Sequence, residues 1–494
     1  MGSIEINEEG LLDLSAHYVV LGSGLNAIST IHGLLDGSTA ENKKIYVIDA
    51  GITRASKPIT ESNRKPPIPP SPKFKIRSNR YVYDSFVRKL NLTESGFQAI
   101  GSLAKGGLSN IWGAGIQPYN QSELSQFPYS YQEIFDIYSR VYRILTDSKL
   151  DKSLAAQVYH ESHSFVTFDP LLAINLKNGS RRSCHLSSCA TGCVYCNKDV
   201  FNSAKELDNL ASSNKIEYLP DFYVESVVFE SGYYIIYCSR VSTNERFRIK
   251  ASTIYSCLGS IATTKVALGL QKRNAQVPLL TTPGGAFFLY SFKNFHNLDH
   301  LILSSKAFRG NAGDNSFEGN IFPISKNLLC THFGSAFGSF LDFLFRDLLF
   351  SRLFVANVFF ASDLSSASLA SISDEIRISA RIDRKLRSAF AKALRVIKTG
   401  LLSEGLLVLP FGKKLLRPGQ DVHYGGSIPM KRNPAENECD FGGELFGFRG
   451  FYIADSASMP FLAAKGHSFN SMVNAYHIAR ESAANKVEMN INTQ

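Results

Sequence analysis

"HYVVLGSGLNAISTIHGLL", residues 17–35, and "KKIYVIDAG", residues 43–51, decide the fold class of this chain. The first stretch is an apolar run followed by a glycine turn and a helix-like pattern. The second is another apolar run that ends in an acidic residue. Strand, turn, helix and strand in this order predict a parallel βαβ unit of the dinucleotide-binding type. We therefore expect an α/β fold built on a parallel sheet.

Two glycines and one acid in these stretches meet the requirements of a bound dinucleotide. Gly22 suits the tight turn after the strand, and Gly24 lets the backbone approach a pyrophosphate. Ala27 stands at the third position, where glycine is more usual. Asp49 ends the second strand, where a carboxylate can accept hydrogen bonds from the hydroxyls of an adenosine ribose.

The composition is that of an ordinary globular protein. Of the 494 residues, 44% are hydrophobic and 19% are charged, and the length allows two or three cores. The formal net charge of +10 favours anionic partners such as phosphorylated sugars, a membrane surface or polyanionic glycans. Between Arg54 and Arg80, eight Lys or Arg and six prolines predict an extended basic loop. No nucleic-acid-binding motif accompanies it, so no nucleic-acid partner is expected.

No targeting or membrane-spanning segment is predicted. The N-terminus lacks the basic start and the apolar run of a signal peptide, so a cytoplasmic location is expected. The longest apolar run, "FLDFLFRDLLFSRLFVANVFF" (340–360), contains four charged residues and predicts a buried or interfacial helix that continues into a strand. The alternative is that this run touches a membrane, which would place the protein at the inner membrane face, within reach of lipid-linked sugars.

The second half of the chain adds strands and one further lobe. Residues 222–260 alternate apolar and polar side chains between turn residues, which predicts an antiparallel β-meander. Its final strand ends in Gly259 and precedes a helical run. Near the C-terminus, a strand ends at Asp455 and a helix begins at about Ser471. Residues 271–429 predict a separate lobe over the cofactor.

Four separated segments together resemble the glucose–methanol–choline oxidoreductase family of flavoproteins. They are "VVLGSGLNA…YVIDAG", "GSLAKGGLSNIWGAGIQPY" (101–119), "IYSCLGSIATTKVALGL" (254–270), and the run from "HYGGSIPM" through "GFYIADSASMPFLAAKGHSFNSMVNAYHIA" (423–479). The Trp-Gly after "GGLSN" and the basic loop upstream most resemble bacterial members associated with sugars and cell-surface polysaccharides. The resemblance implies an FAD-binding domain and a substrate domain built on an antiparallel sheet flanked by helices.

The resemblance also implies how the chain divides between these two domains. The FAD-binding domain is expected to comprise residues 14–130, 200–270 and 430–494. The substrate-binding domain, with a cysteine-containing loop, is expected to comprise 131–199 and 271–429.

The resemblance places the FAD along these segments. Asp455 would lie near the ribityl chain and pyrophosphate, and Val224 would present its backbone to the adenine. Some family members attach the flavin to a histidine, but "SNIWG" contains none, so the FAD is expected to be non-covalent. The residues predicted to bind it are Gly22, Gly24, Leu25, Asn26, Asp49, Ala50, Gly106, Gly107, Ser109, Asn110, Trp112, Gly113, Val224, Gly259, Asp455 and His467.

Histidines near the C-terminus are the candidate catalytic residues. When a hydride leaves an alcohol for a flavin, the hydroxyl proton needs an acceptor, and a neutral imidazole is the usual one. By resemblance, His423 in "HYGG" is the base and His467 in "KGHSFNSM" is its partner, with Asn470 as the alternative partner. The alternative interpretation makes His423 a turn residue and His467 a cap of the following helix.

Four cysteines cluster in "CHLSSCATGCVYC", at Cys184, Cys189, Cys193 and Cys196. Their spacing is that of neither a zinc knuckle nor a ferredoxin, but such clustering in a cytosolic chain is compatible with zinc or an iron–sulfur cluster. An iron–sulfur cluster could pass electrons to an acceptor protein. The alternative is that these are free cysteines on a loop near the substrate.

The sequence as a whole predicts an FAD-dependent oxidoreductase that oxidises an alcohol group of a sugar or glycoconjugate. The sequence leaves open whether this substrate is anionic or lipid-linked. Two alternatives remain open. One is a flavoprotein-fold binding protein without catalysis, motivated by Ala27 and by the diverged C-terminal motif. The other is a flavin-dependent reductase or isomerase of a ketone or alkene, although no second Gly-x-Gly-x-x-Gly unit for a nicotinamide cofactor is visible.

Overall fold

The structure is a computed structural model. It describes residues 11–37, 43–54, 56, 77–129, 131–150, 165–174, 200–292, 306–323, 352–372 and 375–491. The helices are α1 (Leu25–Gly37), α2 (Phe86–Lys89), α3 (Gln121–Leu124), α4 (Tyr131–Thr146), α5 (Ser203–Ser212), α6 (Ser260–Leu270), α7 (Arg384–Ser403) and α8 (Ser468–Ile491). Short 3-10 turns span Arg77–Val82, Gly107–Asn110, Ser362–Leu364 and Ser456–Ser458.

The strands follow one another along the whole of the described chain. They are β1 (Leu11–Asp13), β2 (Tyr18–Leu21), β3 (Ile45–Ile48), β4 (Leu92–Ser95), β5 (Val166–Phe168), β6 (Glu217–Leu219), β7 (Phe222–Glu230), β8 (Tyr233–Arg240), β9 (Arg246–Ala251), β10 (Ile254–Ser256), β11 (Ala275–Thr281), β12 (Gly284–Ser291), β13 (Lys306–Ala312), β14 (Asn315–Pro323), β15 (Leu353–Phe360), β16 (Ala367–Ile372), β17 (Glu375–Ser379), β18 (Leu406–Val408), β19 (Lys414–Leu415), β20 (Tyr424–Gly425) and β21 (Phe451–Ile453).

A five-stranded parallel sheet forms the first layer, with the strand order β21-β10-β2-β3-β6. The βαβ unit predicted from residues 17–51 is confirmed as β2, α1 and β3. Its strands are buried on both faces, which is why they read as continuous apolar runs. The fold class predicted from the sequence is therefore correct.

Helix α1 packs closely against the C-terminal helix α8. A Cβ atom on Gly33 would lie 2.4 Å from the carbonyl oxygen of Tyr476, and one on Gly37 would lie 2.4 Å from that of Arg480. The two helices can approach this closely only because glycine has no side chain. Helix α8 also packs against α4, so it is buried around most of its circumference over its first four turns. It begins at Ser468, three residues before the predicted start.

The predicted β-meander is confirmed as β7, β8 and β9, which pair antiparallel, with β1 added in parallel to β9. The register of β7 against β8 shifts between Val224 and Ser226, which is a β-bulge. Bulges bend a strand and change the direction in which its residues point. This one lies where the meander meets the central cavity.

Two antiparallel-based sheets form the rest of the molecule. The larger has the strand order β18-β12-β15-β14-β13-β5, with β19 also paired to β12. The strand predicted at the end of the 340–360 run is confirmed as β15, while residues 340–351 lie outside the described ranges. Along β15 the side chains alternate: Phe354, Ala356, Val358 and Phe360 pack under helix α7, and the residues between them face the cavity.

The smaller sheet has the order β20-β11-β16-β17-β4. Its edge strand β4 comes from the N-terminal third of the chain and pairs in parallel with β17. The predicted segment 14–130 therefore contributes one strand to a sheet made otherwise of residues 271–429. Among the residues that the structure describes, no helix is both long enough and apolar enough to cross a membrane.

Candidate active site

A cavity of about 940 Å³ lies between the parallel sheet and the seven-stranded sheet. Each strand of the parallel sheet except the edge strand β6 contributes the residues just after its carboxyl end: Gly22 after β2, Asp49 after β3, Cys257 after β10 and Ser456 after β21. Open parallel sheets bind their ligands at this edge, because the connecting loops there diverge and leave a crevice. The opposite wall comes from β12, β14 and β15.

The glycine turn between β2 and α1 has the shape of a backbone cradle. Gly22 has a φ of +97°, and a Cβ atom there would lie 2.6 Å from the carbonyl oxygen of Cys257. Gly24 has the opposite surroundings, because a Cβ atom there would meet nothing within 4 Å. The first glycine therefore serves the fold, whereas the second leaves open space in the cavity at the N-terminus of α1.

Asp49 is buried beside this turn. Its Oδ2 accepts hydrogen bonds from Ser23 Oγ at 2.6 Å and from the Tyr218 hydroxyl at 3.1 Å. Ser23 Oγ in turn accepts one from the Gly106 backbone N–H at 2.9 Å. Burial raises the pKa of Asp49 to about 6, although these hydrogen bonds favour the charged form. Asp49 thus links the glycine turn to the second glycine-containing loop.

That loop, residues 106–113, runs along the cavity beside Gly24. Gly106 and Gly107 both have left-handed backbone, and a Cβ atom on Gly107 would lie 3.2 Å from the Cα atom of Gly24. Asn110 is used entirely for structure: its amide donates to the carbonyl oxygens of Lys105 and Gly107 and accepts from Asn202. Beyond it, Trp112 and Gly113 line the cavity.

Val224, Gly259 and Asp455 have different positions around the cavity. Val224 lines it at the bulge of β7, and Gly259 lines it at the N-terminus of α6. Asp455 is 1% exposed and does not line it. Its carboxylate accepts hydrogen bonds from the Gly259 N–H and the Thr263 hydroxyl, and from the Ala457 N–H. It therefore positions the residues that line the cavity instead of facing it.

His423 and His467 come together in the same cavity. Their ring centroids are 5.6 Å apart and their planes make an angle of 83°. Phe359, from β15, packs edge-on against His423 with the ring centroids 5.1 Å apart. The Nδ1 atoms of both histidines are buried and have no hydrogen-bond partner within the described structure. Two imidazole rings that line one cavity can exchange protons and hydrogen bonds with a bound ligand.

The backbone before His423 is constrained. Val422 has a φ of +65°, which a β-branched residue rarely adopts, and its N–H is held by the carbonyl oxygen of Gly419 at 3.0 Å. Asp421, on the other side of this residue, lies with its Oδ2 3.3 Å from His423 Nδ1. This contact between His423 Nδ1 and the Asp421 carboxylate does not have the geometry of a hydrogen bond, so it is electrostatic. Thr282 holds the carboxylate with a hydrogen bond of 3.1 Å.

Among the described residues, no carboxylate stabilises the charged form of His467. It is 6% exposed, and burial together with the nearby His423 lowers its pKa to about 3. The imidazole is therefore neutral at ordinary pH. His423, with Asp421 at 3.3 Å, is the member of the pair at which a positive charge is electrostatically stabilised.

A buried ion cluster lies two residues before His467. Lys465 Nζ lies 2.9 Å from Glu123 Oε2 and 3.6 Å from Glu318 Oε2, and Lys465 is 3% exposed. Burial lowers the pKa of Lys465, but the attraction of the two carboxylates outweighs it and raises the pKa above its usual value. Glu318 lines the cavity from β14. The cluster therefore fixes the His467 segment to the opposite sheet.

Asn470 does not reach the cavity. Its Oδ1 accepts hydrogen bonds from the Tyr119 N–H and the Tyr138 hydroxyl, and its Nδ2 donates to the Gln117 carbonyl oxygen. These structural hydrogen bonds hold the Asn470 amide in place, and the catalytic role suggested for Asn470 stays a prediction.

Most of the residues singled out in the sequence meet at this one cavity. Those that line it are Gly22, Gly24, Leu25, Asn26, Asp49, Ala50, Gly107, Ser109, Trp112, Gly113, Val224, Gly259, His423 and His467. Those that do not are Gly106, Asn110, Asp455 and Asn470. Gln117, Glu318 and Lys465 were not predicted as site residues, because each belongs to a different segment of the chain. Asp421, two residues from His423, could have been found from that spacing.

The cysteine cluster lies outside the described residues. Cys184, Cys189, Cys193 and Cys196 all fall between residues 175 and 199, so the predicted zinc or iron–sulfur site stays a prediction. Within the described ranges, no group of three or more His, Cys, Asp or Glu is placed to hold a metal ion. Cys238, Cys257 and Cys439 are buried and not in disulfides.

Comparison with known proteins supports the fold. No protein-family model matches the sequence, and no curated protein matches it. Among solved structures, the chain is similar to the crystal structure of pyridoxine 4-oxidase from Mesorbium loti, with a TM-score of 0.61 and 12% sequence identity. The match covers 94% of this chain and 99% of that chain. Over nearly its whole length, this chain therefore shares the fold of an oxidase, with a parallel sheet and separate antiparallel sheets.

Proposed function

We propose that this protein is an FAD-dependent oxidoreductase that oxidises an alcohol group. The observation that carries the proposal is the single cavity that runs from the glycine turn at Gly24 to the paired imidazoles of His423 and His467. A dinucleotide cradle and a proton acceptor in one cavity are what hydride transfer from an alcohol to a flavin requires. The fold likeness to a structure named as an oxidase supports the same class.

The residues present fit an FAD. Open space at Gly24, the N-terminus of α1 and the left-handed backbone at Gly107 suit a pyrophosphate, because backbone N–H groups and the helix dipole favour an anion there. Asp49 would accept hydrogen bonds from the ribose, and Val224 would contact the adenine. The loop at Trp112 contains no histidine, so the proposed FAD is non-covalent. When bound, FAD supplies the acceptor for the hydride.

The two histidines have different proposed roles. His423 accepts the hydroxyl proton at one ring nitrogen, and Asp421 stabilises the imidazolium that results. His467 stays neutral, because its environment disfavours charge, and donates a hydrogen bond that orients the hydroxyl. Val422 holds His423 in place through its constrained backbone. Phe359 and the sheet behind it keep water away from this end of the cavity.

The proposed substrate is a sugar or a glycoconjugate. Support comes from the resemblance to sugar-associated members of the glucose–methanol–choline family and from the polar side chains on the cavity face of the seven-stranded sheet, Glu318, Asn320 and Asn357. A polyhydroxylated substrate could exchange hydrogen bonds with the polar side chains on this face.

The test is an anaerobic one on the purified protein. FAD content is measured by absorbance, and the flavin is then titrated with a panel of alcohols and sugars. Bleaching by an alcohol supports the proposal. A flavin-containing protein that no alcohol reduces, but that a ketone or alkene reoxidises, would point to a reductase. Absence of flavin after reconstitution would contradict the cofactor assignment. Metal analysis of the same sample tests the cysteine cluster.

A further inference from the structure

Gln117 is a buried polar side chain that the proposed reaction does not use. It is 6% exposed and lines the cavity. Neither its Oε1 nor its Nε2 has a hydrogen-bond partner in the part of the chain that the structure describes. Burying an amide without hydrogen-bond partners is unfavourable, because its polar atoms lose their hydrogen bonds to water. A fold rarely retains such a group unless something else satisfies it.

The main chain around Gln117 is held firmly beside the His467 segment. The Gln117 carbonyl oxygen accepts a hydrogen bond of 2.9 Å from Asn470 Nδ2. Two residues on, the Tyr119 N–H donates to Asn470 Oδ1 at 2.9 Å. Asn470 lies in the first turn of α8, three residues after His467. Gln117 is therefore presented to the cavity from a fixed backbone at the histidine end.

Glu318 approaches the same place from the opposite wall. Lys465 Nζ lies 3.6 Å from Glu318 Oε2 and 3.4 Å from the carbonyl oxygen of Pro118, which follows Gln117. One ammonium group thus joins the strand that carries Glu318 to the segment that carries Gln117. Glu318 is also buried and lines the cavity. The two side chains are at the histidine end of the cavity, on different walls.

We propose that Gln117 determines specificity by binding a second hydroxyl of the substrate, next to the carbinol that faces His423 and His467. A hydroxyl both donates and accepts, which matches the two unpaired atoms of the Gln117 amide. The inference rests on the proposed alcohol oxidation and narrows its substrate class to uncharged polyhydroxylated molecules.

The charges at this end of the cavity explain why the substrate is uncharged. Glu318 and Asp421 are both acids, and Lys465 is already paired with two carboxylates. A carboxylate or phosphate next to the reacting carbon would be repelled and would find no unpaired cation there among these groups. The net positive charge of the whole chain therefore does not predict an anionic group at the reacting end.

The test compares two primary alcohols that each carry a six-membered ring. D-glucose has further hydroxyls and cyclohexylmethanol has none, and D-glucuronate serves as the anionic probe. Binding is measured by titration calorimetry, and flavin reduction is measured anaerobically. The variant is Gln117→Met, which keeps the volume and removes the hydrogen bonds. Gln276→Met, on the exposed side of β11, is the matched control.

The native protein is expected to bind glucose at least tenfold more tightly than cyclohexylmethanol, and Gln117→Met to reduce that preference about tenfold, as expected for two lost neutral hydrogen bonds. The control should keep the native preference. Equal preference in native and Gln117→Met protein, no binding of glucose, or tighter binding of glucuronate would each overturn the inference. If glucose binds in this way but no alcohol bleaches the flavin, the proposed function fails while the hydroxyl-binding site stands.

Discussion

The imidazole rings of His423 and His467 lie almost perpendicular, 5.6 Å apart, but their surroundings differ in charge. His423 has the carboxylate of Asp421 within 3.3 Å, whereas His467 is buried and its pKa is lowered to about 3. In the proposed reaction, His423 is the base and His467 the neutral partner. The following predictions test this division of roles and the cofactor site.

Replacing His423 with alanine is expected to slow flavin reduction by an alcohol by a factor of about 10² to 10⁴, the usual contribution of a positioned base. FAD content should stay unchanged, because His423 is not among the residues proposed to hold the pyrophosphate, the ribose or the adenine. The rate is measured by stopped-flow absorbance under anaerobic conditions. His17→Ala, at a histidine outside the cavity, is the control. Native-like reduction in His423→Ala would remove His423 as the base.

Alanine at Gly24 is expected to separate cofactor binding from folding. A methyl group there meets no protein atom within 4 Å, so the apoprotein should keep its thermal stability. The same methyl group occupies the space proposed for the pyrophosphate, and overpacking by one carbon should weaken FAD binding about tenfold or more. Gly22→Ala, by contrast, should impair folding itself.

At Gly22 the methyl group would lie 2.6 Å from a carbonyl oxygen on a backbone with a φ of +97°. Folding itself should therefore fail or lose about 1–3 kcal/mol. The melting temperature of each apoprotein, and its flavin content after reconstitution with FAD, distinguish the two glycines. Unchanged FAD affinity in Gly24→Ala would show that the cofactor does not pass this turn.

FAD affinity is expected to fall as pH is lowered through about 6. The pKa of Asp49 is raised to about 6 by burial, and only its anionic form offers both oxygens as acceptors to the ribose. Affinity at pH 5 should be about tenfold weaker than at pH 7.5, as follows from the fraction of ionised Asp49. Fluorescence titration of the apoprotein measures it. In Asp49→Asn this dependence should disappear, and its persistence there would assign it to another group.

The free energy of unfolding should depend on pH through His467. Its pKa is about 3 in the folded state and near 6.5 when unfolded, so the unfolded state binds the extra proton between these values. Stability is then lost as pH falls from 6.5 towards 3, by up to about 1.4 kcal/mol per pH unit. The pKa values of Asp49 and Asp455 are raised, so these residues make the protein more stable as pH falls. Their contribution is the same in the native protein and in a His467 variant, so it cancels when the two are compared.

The comparison is between native protein and His467→Asn in urea titrations at several pH values. The variant should lose stability less steeply than the native protein on acidification. Parallel curves would mean that His467 is not held neutral in the folded state.

Removing Lys465 should destabilise the protein by about 3–5 kcal/mol, because Glu123 and Glu318 would remain buried without their cation. The variant is Lys465→Met, and the measurement is again urea denaturation. Changing both carboxylates to glutamine in the same protein should recover most of the loss. If the triple variant is no more stable than Lys465→Met, charge is not the cause.

Local patterns predicted the parts of this molecule that are local. The unit β2–α1–β3 follows from neighbouring residues, and so does the β-meander of residues 222–251, because hydrophobic periodicity and turn residues act over short distances. Asp49 was found because it ends a strand, and His423 because its motif resembles a family.

Tertiary contacts decided the rest of the site. Asn470 seemed available to a substrate from its position in the sequence, but Tyr119, Tyr138 and Gln117 satisfy its amide. Asp455 was expected to lie near the ribityl chain and pyrophosphate, and the sequence did not reveal that its carboxylate accepts hydrogen bonds from Gly259 and Thr263. Polar side chains on loops are directed by partners hundreds of residues away, which a single sequence does not reveal.

The order of the parallel sheet has a consequence for biosynthesis. The strand β10 pairs with β21, and α1 is covered by α8, so the first βαβ unit is completed by residues near the end of the chain. During translation the edge of β10 and the glycine-lined side of α1 stay uncovered until β21 and α8 leave the ribosome. Exposed strand edges and apolar helix faces are the surfaces that chaperones protect. The first βαβ unit of the nascent protein therefore depends on residues 451–491 before its sheet and helix layer are complete.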